Sequence, residues 1–127
     1  MVINANEKDQ LFQRLKSILV QHSAGMTVVT DNQSNYYLDT THIMKNKKPL
    51  FFGSVQVKKN YISFHLMAVY VNPLLLNSVS SDLKKRMQGK SCFNFTTIQN
   101  ELFDELETLV AIGLDYYQSE GYVEKLN

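Results

Sequence analysis

At 127 residues, with 44% hydrophobic and 20% charged side chains, the chain has the size and composition of one globular domain and no room for a second. Cys92 is the only cysteine, which excludes an internal disulfide, and a core that buries roughly two-thirds of the unfolded surface needs no such staple. The net charge of +1 divides into −1 over residues 1–39, +8 over 40–99 and −6 over 100–127. A basic middle and an acidic end define a dipolar surface rather than a uniformly basic one.

Leu11, Phe12, Leu15, Ile18 and Leu19 recur at helical spacing, so residues 7–23 read as an amphipathic helix with Asn6 as its N-cap and Gly25 as its C-cap. Met26 to Thr30 and Tyr36 to Thr40 form a hairpin signal around a five-residue loop, Asp31 to Asn35. Thr41 to Pro49 reads as an exposed, lysine-rich connection. Leu50 to Val57 and Tyr61 to Val71 are two β-like runs. In the second, Ile62, Phe64, Leu66 and Ala68 line a core face, and Tyr61, Ser63, His65 and Met67 the other. Leu74 to Val79 reads as a short helical turn. Ser81 caps a helix over Asp82 to Gln88 that Gly89 stops, and Ser91 to Phe95 is a further strand. Asn100 caps a long helix with a buried stripe of Leu102, Phe103, Leu106, Leu109, Val110 and Gly113, ended by Gly121. Short turns between consecutive strands require antiparallel pairing. The expected fold is therefore a two-layer α+β domain over residues 1–127, with a mostly antiparallel five-stranded sheet carrying the N- and C-terminal helices on one face.

The apolar runs are too short to span a bilayer, and the polar segment Met1 to Asp9 lacks the apolar core of a signal peptide. The expected setting is cytoplasmic, with no membrane partner.

Gln88-Gly89-Lys90-Ser91 ends like a phosphate-binding loop, but Lys84 and Lys85 stand where that loop needs glycine, and the order is helix-to-strand rather than strand-to-helix. Nucleotide hydrolysis is excluded on those grounds. Lys84, Arg86 and Lys90, with His65, are the candidate anion or small-ligand site, Arg86 being able to fork onto a carboxylate or phosphate. Glu101, Asp104, Glu105 and Glu107 crowd the start of the last helix and form an alternative oxygen-rich set for a hard cation, although acids at that end also satisfy the helix dipole. Cys92 with His65 as base would make a nucleophilic pair if their strands are neighbours, but no third group near Cys92 orients the base, so no catalytic residue is assigned. Tyr61 and His65 with flanking lysines have the composition of a base-stacking face. The acidic C-terminal third and a pI of 7.8 argue against a nucleic-acid partner. A homodimer through the open sheet face would use Tyr61, His65 and Met67.

Lys48 to Gly53, Asn60 to Met67 and Leu83 to Phe95 together resemble the YdhG-like family of small bacterial domains, over roughly residues 10–120. The most specific part is the Gly89-Lys90-Ser91 turn into an aromatic strand. The resemblance implies the α+β fold and a small cytosolic domain, in a family of unknown function that offers no established catalytic residue; the residues themselves point to a non-enzymatic binding module. Some relatives are labelled frataxin-like iron chaperones, which would make iron the cargo. Frataxin carries its acidic ridge on the first helix, whereas here that helix offers only Glu7 and Asp9.

Overall fold

In the computed structural model, which describes residues 4–125, the five apolar residues from Leu11 to Leu19 form the buried face of helix α1 (Ala5–Val20). The cap is Asn4 rather than Asn6. Its side-chain oxygen accepts the Glu7 N–H at 2.8 Å while its amide nitrogen donates to Glu7 Oε1 at 2.8 Å, a reciprocal cap that fixes the start of the helix. Met1 to Ile3 of the polar N-terminal segment lie outside the described residues. Gly25 is left-handed (φ 79°) but does not cap α1. It turns the chain between helix and sheet, where the Met26 N–H donates to the Ser23 carbonyl.

Strands β1 (Thr27–Asp31) and β2 (Asn35–Ile43) form the expected hairpin with a shorter loop. Asn32 Oδ1 accepts the N–H groups of both Ser34 and Asn35, so the side chain itself tightens the turn. The expected exposed connection from Thr41 is in part strand. Thr40 Oγ1 donates to the Leu50 carbonyl at 2.8 Å and accepts the His42 N–H, tying an irregular end of β2 to β3 (Pro49–Val57).

Strand β4 (Ile62–Leu66) is shorter than the expected run to Val71. The Met67 N–H donates to the Phe52 carbonyl, and Ala68–Val71 then form the one-turn helix α2, with Ala68 and Val69 buried. The β-branched residues here are overridden by packing under the last helix. A 3-10 turn follows at Pro73–Ser78.

Helix α3 (Ser81–Lys84) is capped by Ser80, whose Oγ accepts the Leu83 N–H. The helix expected to reach Gln88 ends four residues early. Met87–Gln88 form a short strand, β5, paired antiparallel with β6 (Cys92–Phe95), and Gly89 (φ 76°) turns that hairpin instead of stopping a helix. The sheet therefore has six strands rather than five.

Helix α4 (Asn100–Ser119) begins one residue earlier than expected, with Gln99 rather than Asn100 at the cap position and no side-chain cap bond. Its far end closes on Gly121 (φ 80°). The Tyr122 N–H donates to the Tyr117 carbonyl and the Gly121 N–H to that of Gln118, and the Tyr117 and Tyr122 rings meet edge-on at 5.4 Å.

The sheet order is β1-β2-β3-β4-β6-β5, antiparallel throughout, with α1 and α4 on the same face. Between the layers lie Phe12, Phe52, Phe64, Phe93, Phe95 and Phe103, all essentially without solvent contact. Each such burial contributes about 1.5–3 kcal/mol before chain entropy is counted. The register slips in β3, where Leu38 faces Gly53 but Asp39 faces Phe51. Phe52 and Gly53 consequently both address the helices: Phe52 is fully buried, and a Cβ on Gly53 would lie 3.2 Å from Leu19. Phe51 is left on the opposite face. Tyr117 of α4 donates its hydroxyl to the Phe51 carbonyl at 2.9 Å, and burial pushes its ionisation well above the ordinary tyrosine range.

Candidate functional site

The four residues of the expected anion site do not converge. Arg86, just after α3, lines a cavity of about 480 Å³ with Asp82, Lys85, Gln99, Glu101 and Leu102, at the head of α4. His65 lines a different depression, on the open face of the sheet, and Lys84 and Lys90 are exposed and line neither.

Arg86 is half-buried, and among the described residues no ion pair or side-chain hydrogen bond engages its guanidinium; its Nε is fully enclosed without a partner. Gln99 Oε1, in the same wall, is likewise enclosed and unpartnered. The first N–H groups of α4 open there without a side-chain cap, as the missing Gln99 bond requires. The two rim acids are not equivalent to free counter-charges for Arg86. Asp82 lies 3.9 Å from Lys85, and neither Asp82 nor Glu101 comes within ion-pair distance of the guanidinium.

The acids of the alternative metal set are separated. Glu101, Asp104 and Glu105 line one cavity of about 290 Å³ beside Val79, and Glu107 does not. Asp104 lies 3.7 Å from Arg14 of α1. Glu105 is occupied by the chain itself: its two carboxylate oxygens accept the Ser80 N–H at 2.9 Å and the Ser80 hydroxyl at 2.7 Å. Among the described residues no three His, Cys, Asp or Glu side chains form a group able to hold a metal ion. The donor set inferred for iron does not fit it.

The open face of the sheet was only partly foreseen. Tyr61, Ser63 and His65 share it, as alternation predicts, with Ser54, Gln56, Cys92 and Asn94. Met67 lies past the end of β4 and does not extend it. β4 and β6 are neighbours, and His65 faces Cys92 in register. The imidazole nevertheless contacts Ser91, whose Oγ lies 2.6 Å from Nε2. No side chain among the described residues hydrogen-bonds the other ring nitrogen, so the pair lacks the orienting group of an acyl-transfer site. Burial holds the His65 pKa below its ordinary value. Tyr37, Phe51 and His65, from β2, β3 and β4, form a continuous row: centroids are 4.6 Å apart for Tyr37 and Phe51, and 4.8 Å for Phe51 and His65. Tyr37 and Phe51 escaped sequence reasoning, because each stands beside another aromatic residue (Tyr36, Phe52) and only the register shows which of the two faces outward.

No protein-family model, curated protein or solved structure matches the chain. No helix among the described residues is long and apolar enough to cross a membrane.

Proposed function

We propose that this chain is a non-enzymatic ligand-binding domain and that it takes a compact anion in the cavity between α3 and the head of α4. The observation that carries the reading is Arg86: a half-buried guanidinium in a cavity wall, with no carboxylate within ion-pair distance. A guanidinium with its Nε enclosed and unpartnered is partly desolvated at a cost, and an incoming carboxylate or phosphate offsets that cost through charge-assisted hydrogen bonds to the groups that face the cavity. The uncapped N–H groups of α4 add a favourable field of the same sign. Asp82 and Glu101 on the rim limit the site to a small anion, since an extended polyanion would meet both carboxylates.

Titration with inorganic phosphate and with acetate, followed by amide NMR, tests the reading. Saturable shifts at Arg86 and Gln99 to Leu102 are expected, with their loss in Arg86→Gln. Shifts that persist in Arg86→Gln, or that fall only on exposed lysines, would sink it.

A further inference from the structure

The face of the sheet turned away from the helices carries a second, independent surface. We infer that it binds single-stranded nucleic acid, with bases stacking on the row formed by Tyr37, Phe51 and His65.

Three observations converge on it. The rings are contiguous across three adjacent strands, at 4.6 and 4.8 Å, so the row presents a track longer than a single base. None of the three belongs to the hydrophobic core, and all remain partly exposed, so the interior of the fold does not require them. Aromatic residues in strands ordinarily pack inward, as Phe52 and Phe64 do here. Beside the row, Ser63 and Asn94 supply hydrogen-bonding groups for base edges, and the enclosed Oδ1 of Asn94 has no partner.

The electrostatics of the fold favour the same occupant. The pI of 7.8 averages over two layers that are chemically distinct. The acids of residues 100–120 lie on α4 and its cap, in the helical layer. The turns bounding the outward face carry Lys47, Lys48, Lys58, Lys59 and Lys90, all exposed, and Lys58 lines the depression itself. Against them the face offers Asp39, whose carboxyl burial holds above its ordinary pKa. Phosphates flanking a stacked base therefore meet lysines, while α4 stays on the far side of the sheet. A duplex keeps its bases stacked on one another and has none to give to the row.

The test is fluorescence anisotropy with a labelled ten-nucleotide uridine single strand at 50 and 200 mM salt, beside a duplex of the same length and heparin as a polyanion without bases. Tighter binding of the single strand than of either control is expected, with amide shifts on β2, β3, β4 and β6. Tyr37→Leu keeps apolar bulk and removes the π face, and should weaken binding about tenfold, the lower part of the range for one lost base stack of about 1–3 kcal/mol. Lys58→Gln, at an exposed position that leaves the core untouched, should weaken binding and flatten the salt dependence. Four results would overturn the inference: no binding at 50 mM salt, equal binding of duplex or heparin, shifts confined to the Arg86 cavity, or self-association that buries the face.

Discussion

Gly113 of α4 passes so close to Ala68 of α2 that a Cβ at position 113 would lie 2.9 Å from the Ala68 Cβ. This contact explains both a glycine in the middle of a 20-residue helix and the early end of β4. Glycine there sacrifices about 1 kcal/mol of helix propensity. Its return is the close approach that lets Ala68 and Val69 bury beneath α4.

Gly113→Ala should consequently destabilise the domain, although the same change in an exposed helix would stabilise it. Overpacking costs about 1–3 kcal/mol against a propensity gain of about 1, a net loss near 1 kcal/mol. Urea denaturation reads it directly. The double variant Gly113→Ala with Ala68→Gly should recover part of the loss, because it removes the opposing methyl group. An unchanged or raised midpoint in the single variant would show that α2 and α4 can part at no cost.

Much of this architecture was legible because burial follows period. The stripe of α1 and the alternation of Ile62, Phe64 and Leu66 against Tyr61, Ser63 and His65 read directly from the sequence and survive intact. The features that escaped depend on pairings distant along the chain. Arg86, Met87 and Gln88 are all good helix formers, and only β6 beside them makes the last two a strand. Phe51 and Phe52 are chemically identical, so nothing local announces the register slip that turns one outward and the other inward. Arg86 stood out by its charge, but Gln99 to Leu102, which complete its cavity, are more than a dozen residues away. Ser91 was passed over because Cys92 is the more conspicuous nucleophile, whereas the hydroxyl is what meets His65.

The half-buried position of His65 has a thermodynamic consequence. Its native pKa lies below 6.5, so between the two values the unfolded chain binds a proton that the native state does not. Stability from this group is complete above 6.5, declines as the pH falls from 6.5 to the lowered native value, and is level below that. Asp39 on the same face works with the opposite sign. Its raised native pKa means that the folded state takes up a proton first, and stability is regained as the pH falls through that value. Denaturation of wild type and His65→Gln at pH 7.5 and 5.5 separates the two. The wild type should lose more stability on acidification than the variant does, and an identical loss in both would remove His65 as the cause.

The Glu105 and Ser80 pair decides what the acids of α4 are for. If those acids formed a solvated cation site, replacing them would leave stability nearly unchanged. Glu105, however, accepts both the N–H and the hydroxyl of Ser80, and Ser80 in turn caps α3. Charge-assisted hydrogen bonds of this kind contribute about 1.5–3 kcal/mol when shielded, which solvent exposure here reduces to about 1. Glu105→Ala should lower the urea midpoint accordingly, and Glu107→Ala, with no such partner, should change stability by less than about 0.5 kcal/mol. The same samples, titrated anaerobically with Fe²⁺ and with Mg²⁺, should show no iron-selective amide shifts from Glu101 to Glu107. Saturable, Fe²⁺-selective shifts, together with an unchanged midpoint in Glu105→Ala, would restore these acids as a metal site and take from Glu105 its part in holding α3 against α4.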